Sequence, residues 1–107
     1  MLGFAAKAGQ LVTGSTAVEV ALKKHRVYLV ICATDLAART VKKFNSLCQF
    51  HRIAFYNFST RSELGQWIGI PERGVIGVVS KQFAGTIGRL LDDLREQENE
   101  KPLNETT

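Results

Sequence analysis

Apolar positions recur along this chain with two spacings, one typical of strands and one typical of helices. The segment 27–33, VYLVICA, is almost continuously apolar and rich in β-branched residues, as in a strand covered on both faces. From Leu36 to Phe50 the apolar residues recur at helical spacing, and Thr34 and Asp35 just before them are candidate caps. The pattern predicts a central strand followed by an amphipathic helix.

The same alternation continues in the second half of the chain. The segment 53–58 predicts a strand, and Thr60 with Glu63 forms a capping box that predicts a short helix ended by Gly69. A strand at 75–79 and a further amphipathic helix complete the pattern. Repeated alternation of helices and strands predicts an at least partly parallel sheet between layers of helices.

Near the start, the segment 8–24, AGQLVTGSTAVEVALKK, has a glycine between two patterned elements. It predicts a strand at 10–13, a turn at Gly14, and a helix capped by Thr16 with Glu19 completing a capping box. The first amides of such a helix lack partners within it and carry the positive end of its dipole, which suits a phosphate or a polar base edge. A purely structural turn explains the same residues, because the segment has no second glycine pair and no Walker-type lysine.

Charge is distributed unevenly along the chain. The 107 residues suit one compact domain, for which we expect the range 1–95. Residues 1–91 carry 12 Lys and Arg against 4 Asp and Glu, whereas 92–107 carry 2 against 6. A body this basic favours a polyanion, nucleic acid before membrane, although simple solubility is the alternative. For 96–107 the composition predicts a polar, disordered tail.

Little in the sequence points to catalysis, a metal or a membrane. Cys32 lies in the apolar strand and Cys48 at an apolar helical position, so both are interpreted as reduced core thiols. The chain has no CxxC pair, metal-ligand spacing, GxSxG elbow or dinucleotide fingerprint, and we expect no metal, no cofactor and no enzymatic activity. A membrane-length apolar run and a signal-like start are also missing, and we expect a cytoplasmic protein without a membrane partner.

Three motifs carry a resemblance to a known family. They are LGFAAKAGQLVTG near the start, YLVICATDLAARTVKKF in the middle, and LGQWIGIPERGVIGVVSKQFA later. As an ordered set over roughly 2–91 they resemble the ribosomal protein L-seven-Ae family of kink-turn RNA-binding proteins, and most closely its short bacterial members. The most specific part is the spacing between Ala8-Gly9, Gly14, the apolar strand before Asp35, and Leu64-Gly65 followed by Gly69.

This resemblance implies a fold, a function and a surface. The implied fold is a three-layer α/β/α sandwich with a mixed sheet of about four strands. The implied function is non-enzymatic and ribosomal or ribosome-associated, gripping a sharply bent RNA through phosphates and splayed bases. The sequence does not fix the oligomeric state, for which a monomer is favoured. The RNA face would comprise the turn and first helical residues after Gly14, the segment 33–36 and the loop 70–75. The residues expected to contact RNA are Gly14, Ser15, Thr16, Lys23, Thr34, Asp35, Leu36, Ile70 and Arg73.

Four positions depart from the pattern of the resembled family. Where that family usually has a basic residue, then Asn and Glu, then Lys, this chain has Thr13, Thr16, Ala17 and Val20. Alanine and valine side chains offer no hydrogen-bond donor or acceptor, and losing two base contacts would weaken binding by roughly 2 to 6 kcal/mol. The alternative function is therefore a protein-interaction module on the same fold with a decayed RNA face, for which an exposed apolar patch would be the sign.

Arg73 is the best single candidate for RNA contact, because a loop arginine beside a glycine presents its planar guanidinium to a phosphate or a base. Further candidates for phosphate contact are Lys7, Lys23, Lys24, Arg26, Lys42 and Lys43. Trp67 is favoured as core or partial core rather than as a base-stacking platform. The phenylalanines interpreted as core are Phe44, Phe50, Phe55, Phe58 and Phe83. His25 and His51 are interpreted as residues at the ends of elements.

Overall fold

The structure, a computed structural model, describes the backbone of residues 2–106 and the side chains of residues 5–94. Five helices and four strands alternate along this part of the chain. They are α1 (Leu2–Lys7), β1 (Leu11–Thr13), α2 (Ser15–Lys23), β2 (Leu29–Cys32), α3 (Ala38–His51), β3 (Ala54–Asn57), α4 (Arg61–Ile68), β4 (Val75–Val78) and α5 (Lys81–Thr106).

The four strands form one mixed sheet in the order β1-β4-β2-β3. Strand β4 is antiparallel to both β1 and β2, and β2 is parallel to β3. All four residues of β2 are buried, which confirms the prediction of a strand covered on both faces. The α/β/α architecture with a mixed four-stranded sheet is likewise confirmed.

Two hydrophobic cores lie on the two faces of the sheet. Successive side chains of a strand point to opposite faces, so Leu29 and Ile31 of β2 join one core while Val30 and Cys32 join the other. Residues of α1, α4 and α5 complete the first core, and residues of α2 and α3 complete the second. The sheet is therefore the middle layer between two layers of helices.

Both cysteines are free and buried in the core beneath α2 and α3, as the sequence predicts. Burial raises the pKa of the Cys32 thiol to about 12 and that of Cys48 to about 11. Thiols protonated over the whole physiological range are poor nucleophiles, which agrees with a packing role.

Of the two capping boxes predicted from the sequence, the one at the start of α4 is confirmed and the one at the start of α2 is wrong. Thr60 caps α4, because its Oγ1 accepts from the Glu63 amide at 3.2 Å, which confirms the capping box. The box predicted at Thr16 and Glu19 is wrong, because α2 already begins at Ser15 and no side chain caps it. Its N-cap is the preceding glycine, and the Glu19 carboxylate is held by two lysines instead.

The start of α3 also differs from the prediction. Thr34 and Asp35 do not cap it, since its N-cap is Ala37, which makes no side-chain cap hydrogen bond. Both side chains are instead bonded to the loop after β3: Thr34 to the Ser59 carbonyl and Asp35 to the Arg61 amide.

The aromatic residues of α3 have opposite environments. Phe44 is fully buried, as predicted, but Phe50 is 81% exposed, so its interpretation as core is wrong. At 100° per residue, Phe50 lies about 200° around the helix from the buried Cys48 and so points away from the sheet. The predicted core residues Phe55, Phe58 and Phe83 are partly buried and pack against the two cores.

Helix α5 continues to Thr106 and so includes residues 96–106 of the segment 96–107, for which the sequence predicts a disordered tail. The side chains from residue 95 onward and the last residue, Thr107, lie outside the described part, so the domain limit at 95 and the disorder of the tail stay predictions. None of the helices, over the residues described, is long and apolar enough to cross a membrane.

Candidate nucleic-acid interface

Four loops meet at one end of the sheet. Strands β1, β2 and β3 end there and β4 begins there, with Cys32 paired to both Val75 and Asn57 in the register. Because α2, α3 and α4 each follow one of the ending strands, their N-termini lie at the same end. We call the surface made by residues 14–17, 33–36 and 70–75 the Gly14 face.

The turn at Gly14 leaves several backbone donors unused. The Gly14 amide donates to the Val75 carbonyl at 2.9 Å, and the first bond of α2 runs from the Val18 amide to the Gly14 carbonyl at 3.0 Å. Gly14 has φ 95°, a left-handed value, and a Cβ there would meet nothing within 4 Å, so the backbone conformation rather than space requires glycine. The amides of residues 15–17 have no acceptor within the helix and no side-chain cap, at the positive end of the helix dipole.

Arg73 lies beside this turn. Its Nε donates to the Thr13 Oγ1 at 3.2 Å and its Nη1 to the Glu72 carbonyl at 2.9 Å, while its own amide donates to the Arg61 carbonyl at 3.2 Å. The side chain is exposed, and its Nη2 makes no hydrogen bond to the described residues. The geometry therefore holds the guanidinium against Thr13, the residue just before the turn that begins α2.

Thr34 and Asp35 hold the middle segment of the Gly14 face in position. Thr34 Oγ1 donates to the Ser59 carbonyl at 2.8 Å, and Asp35 Oδ1 accepts from the Arg61 amide at 3.0 Å. The hydrogen bond from the Arg61 amide holds the pKa of the Asp35 carboxyl below its usual range, and the Arg61 guanidinium at 3.5 Å from Oδ2 adds to the effect. Thr34 and Asp35 therefore use their side chains to hold the segment 33–36 against residues 59–61.

The loop 70–75 is packed tightly against α4 and against Leu36. The Ile70 amide donates to the Gly65 carbonyl at 2.9 Å, and a Cβ on Gly65 would come within 2.6 Å of the Glu72 Cα. The Leu36 side chain packs over Gly74. Only a glycine at position 65 allows this backbone approach, which explains why the Leu64-Gly65 pair belongs to the motif.

Of the residues predicted to contact RNA, the structure brings all but one together at this end of the sheet. The group that converges is Gly14, Ser15, Thr16, Thr34, Asp35, Leu36, Ile70 and Arg73. Lys23 lies at the other end of the nine-residue helix α2, about 13 Å away at 1.5 Å per residue. Its Nζ is 3.0 Å from Glu19 Oε2, so it is part of an ion pair rather than of the Gly14 face.

Glu19 links the two helices of its layer. Its carboxylate contacts Lys23 on α2 and Lys43 on α3, where the Lys43 Nζ is 2.5 Å from Oε1. Hydrogen bonds from Lys43 and then Lys23 hold the pKa of Glu19 below its usual range. In the sequence, this ion-pairing role of Glu19 is indicated by its being the one acidic residue of α2.

The remaining basic candidates lie outside the three segments that make the Gly14 face. Lys24 and Arg26 follow the C-terminal end of α2, Lys42 is exposed on α3, and Lys7 is in the last turn of α1. They form no ion pair with the described residues.

Apolar surface is also present, on the opposite helical layer. A groove of about 630 Å³ lies between α1, α4 and α5. Trp67, Leu90 and Leu94 in its wall are each close to half exposed. Trp67 is thus only partly buried, with its ring 6.0 Å from that of Phe58.

Metal chemistry finds no support in the side chains between residues 5 and 94. That range contains no group of three or more His, Cys, Asp or Glu side chains arranged to hold an ion.

Comparison with known proteins agrees with the motifs and the fold. Residues 1–86 match the model of the ribosomal protein L7Ae/L30e/S12e/Gadd45 family. The chain belongs to this family. Membership in it, together with similarity to RNA-binding proteins, confirms that this family member is not an enzyme.

Similar proteins span nearly the same length as this member of the family. The chain is 30% identical over 92 residues to the RNA-binding protein YlxQ of Bacillus subtilis (strain 168), covering 86% of this chain and 92% of that protein. The RNA-binding protein YlxQ of Enterococcus faecium is 27% identical over 92 residues, covering 86% of this chain and 88% of that protein.

Two solved structures have the same fold. A protein with unknown function from Bacillus halodurans C superposes with a TM-score of 0.84 and 38% identity, covering 85% of this chain and 92% of the other. The Giardia lamblia 15.5kD RNA binding protein superposes with a TM-score of 0.72 at 15% identity, covering 80% and 73%. The second likeness concerns the fold alone.

Proposed function

We propose that this protein binds a structured, kink-turn-like RNA on the Gly14 face. The observation that carries the proposal is the position of the Arg73 guanidinium beside the turn at Gly14, next to three helix-start amides without acceptors. Family membership and the similar RNA-binding proteins support the same conclusion.

The donors on this face suit phosphate oxygens. Amides at a helix start and a planar guanidinium both donate hydrogen bonds to anions, and they need no particular base sequence. The hydroxyl groups of Ser15 and Thr16 are exposed beside the amides and add donors of the same kind. The half-buried Leu36 and Ile70 give this face apolar surface next to its donors, against which an unstacked base can lie.

Base reading is expected to be weaker than phosphate contact. Ala17 and Val20, both exposed on α2, offer only methyl groups where the resembled family carries hydrogen-bonding side chains. We therefore propose a bacterial, cytoplasmic protein, monomeric and associated with the ribosome or another structured RNA, whose specificity for sheared purine pairs is reduced.

Binding measured against salt concentration tests the proposal. Two RNAs are compared: a kink-turn RNA, and the same RNA with its tandem sheared pairs replaced by Watson-Crick pairs. Tight binding to the first alone would mean that kink-turn reading survives the substitutions on α2. Equal, weak and steeply salt-dependent binding to both would leave a phosphate-binding surface without kink-turn specificity.

Arg73→Ala sharpens the test, with Arg89→Ala on the opposite helical layer as its matched control. Arg73→Ala should weaken binding about fivefold to 150-fold, the effect of about 1 to 3 kcal/mol, while Arg89→Ala should have little effect. Equal affinity of the Arg73 variant and the wild type would remove this residue from the interface. Failure of the wild type to bind either RNA would favour the alternative, a protein-interaction module, consistent with the apolar groove beside Trp67.

A further inference from the structure

A second cluster of exposed cations and aromatic rings lies where α2 and α3 end, at the opposite end of the sheet from the Gly14 face. We call it the basic end. Its exposed members are Lys24, His25, Arg26, Tyr28, Phe50 and Arg52, and the half-buried His51 lies between the last two in sequence.

Contacts between rings join the two helix ends into one surface. The imidazole of His25, just after α2, meets that of His51, the last residue of α3, edge to face with 5.3 Å between centroids. The Phe50 ring meets His51 in the same way at 5.1 Å. At 81% exposure, Phe50 is the most exposed large hydrophobic side chain described, and it lies among cations.

No carboxylate neutralises this cluster within the described part of the chain. Lys24, Arg26 and Arg52 make no ion pair with the described residues. Helix α3 contains no acidic residue, and the one carboxylate of α2 is already held by Lys23 and Lys43. Three cations therefore remain available to an outside anion.

The cluster continues into a groove along α2. This groove, of about 700 Å³, is lined by Lys24, Arg26 and Tyr28 together with Val20 on the exposed side of the helix. Tyr28 and Val20 are each almost half exposed. Cations, an aromatic ring and aliphatic surface are thus continuous along one track.

At two positions of the basic end, the backbone conformation favours glycine, yet the chain has a large side chain there. His25 has φ 58° and Arg52 has φ 59°, the left-handed region in which glycine is favoured at helix ends. A larger side chain in this conformation carries a steric cost that glycine avoids. The His25 and Arg52 side chains therefore oppose the preference of the local fold.

We propose that the basic end is a second RNA-binding surface, one that takes a single-stranded segment. Lys24, Arg26 and Arg52 pair with phosphates, and a base stacks on the exposed ring of Phe50. Single-stranded nucleic acid is bound by this combination of a cationic track with aromatic platforms, without base-edge readout. This inference goes beyond the proposed function, because the cations and Phe50 lie at the far ends of α2 and α3, about 13 Å from the Gly14 turn, and only the groove along α2 reaches back to Ala17 of the Gly14 face.

A fluorescein-labelled single-stranded U12 RNA is the probe, since it contains no paired helix or bend. Wild type should bind it with a log–log salt slope near −2, as three phosphate contacts at about 0.7 each predict. Phe50→Ala should weaken binding about fivefold to 150-fold, the equivalent of about 1 to 3 kcal/mol for one stacked base. A double variant, Lys24→Ala with Arg26→Ala, should make the salt dependence shallower, reducing the magnitude of the slope by about 1.4.

The matched control removes two cations from the other helical layer, Lys81→Ala with Arg89→Ala. It should leave both affinity and salt slope near the wild-type values. An equal loss in this control would show attraction to net charge alone and would overturn the proposal. So would a Phe50→Ala variant with wild-type affinity, or the absence of U12 binding.

Arg52→Gly separates binding from folding. Because glycine suits the left-handed conformation, this variant should melt at a higher temperature than wild type while binding U12 more weakly. A purely structural role for Arg52 predicts no loss of affinity, and that result would remove it from the surface.

The two RNA surfaces can fail independently. Arg73→Ala should weaken binding to the structured RNA and leave U12 binding unchanged, and Phe50→Ala should do the reverse. Loss of U12 binding in the Arg73 variant but not in the Phe50 variant would assign single strands to the Gly14 face and overturn the proposal. A wild type that binds U12 but not the structured RNA would count against the proposed function and leave the basic end standing.

Discussion

The two helical layers bury similar cores and present different surfaces. Helices α2 and α3 with the residues just after them, 15–26 and 38–52, carry seven Lys and Arg against one Glu. Helices α1, α4 and α5 carry six against seven. Both layers pack apolar residues onto the same sheet, so the charge difference is not required for folding. The α2/α3 layer is therefore the basic layer, and the layer of α1, α4 and α5 is close to neutral.

The largest test asks whether the two layers contribute equally to folding. Phe44 of α3 and Leu64 of α4 are each fully buried, one in each core. We expect Phe44→Ala to cost about 3 to 5 kcal/mol of unfolding free energy and Leu64→Ala about 2 to 5, measured by urea denaturation. A loss below about 1 kcal/mol at either position would mean that one layer is an accessory to the fold.

The next largest effect is expected from alanine substitution of two glycines, one at the start of α2 and one within α5, which should change stability in opposite directions. Gly14 has positive φ, whereas Gly85 lies within α5, and a Cβ at either position meets nothing within 4 Å. Gly14→Ala should destabilise by about 1 to 2 kcal/mol, because it forces alanine into the left-handed region. Gly85→Ala should stabilise by about 0.5 to 1 kcal/mol, because alanine is the better helix former. Thermal melts of both variants check the signs, and a shared sign would contradict the conformational argument.

A smaller effect is expected from removing the one carboxylate of the α2/α3 layer. Glu19→Gln removes the one carboxylate of α2 and frees the ammonium groups of Lys23 and Lys43. RNA binding should become tighter and more steeply salt-dependent. A small loss of stability should accompany it, because the link between α2 and α3 is broken. Affinity that falls instead would show that the fixed positions of these lysines matter more than their charge.

The smallest effect is expected at Asp35, which lies on the Gly14 face and bonds to Arg61 at the start of α4. Its pKa is lowered in the folded protein, so its contribution is complete above its ordinary value of 3.8 and is lost as the pH falls through the folded pKa. Asp35→Asn should therefore be less stable than wild type at pH 7, and the difference should disappear at an acid pH below the lowered pKa of Asp35. Urea unfolding at both pH values measures this, and a gap that persists in acid would implicate shape rather than charge.

Local pattern predicts the sheet and its covering well. Burial on both faces makes β2 continuously apolar, and Thr60 caps α4 with a glutamate three residues away, so each signal lies within a few residues. The position of Lys23 follows less directly, because a residue near the RNA face in sequence is carried away from it by the rise of α2.

The errors arise where distant segments decide the local structure. The start of α2 depends on a bond from Gly14 to Val75, and periodicity within the helix carries no information about it. The contact between Arg73 and Thr13 joins residues 60 positions apart. Phe50 fits the apolar spacing of α3 only approximately, and the last turn of a helix is where such a residue turns away from the sheet.

Strand β4 decides when the sheet and the Gly14 face can assemble during synthesis. It lies between β1 and β2 in the sheet, so β1 has no partner strand until residues 75–78 have been made. The turn at Gly14 and the loop of Arg73 acquire their relative positions from the same strand. A nascent chain with only the first 70 residues outside the ribosome therefore carries the cations of α2 and α3 without the Gly14 face, and that face forms only once β4 has been made.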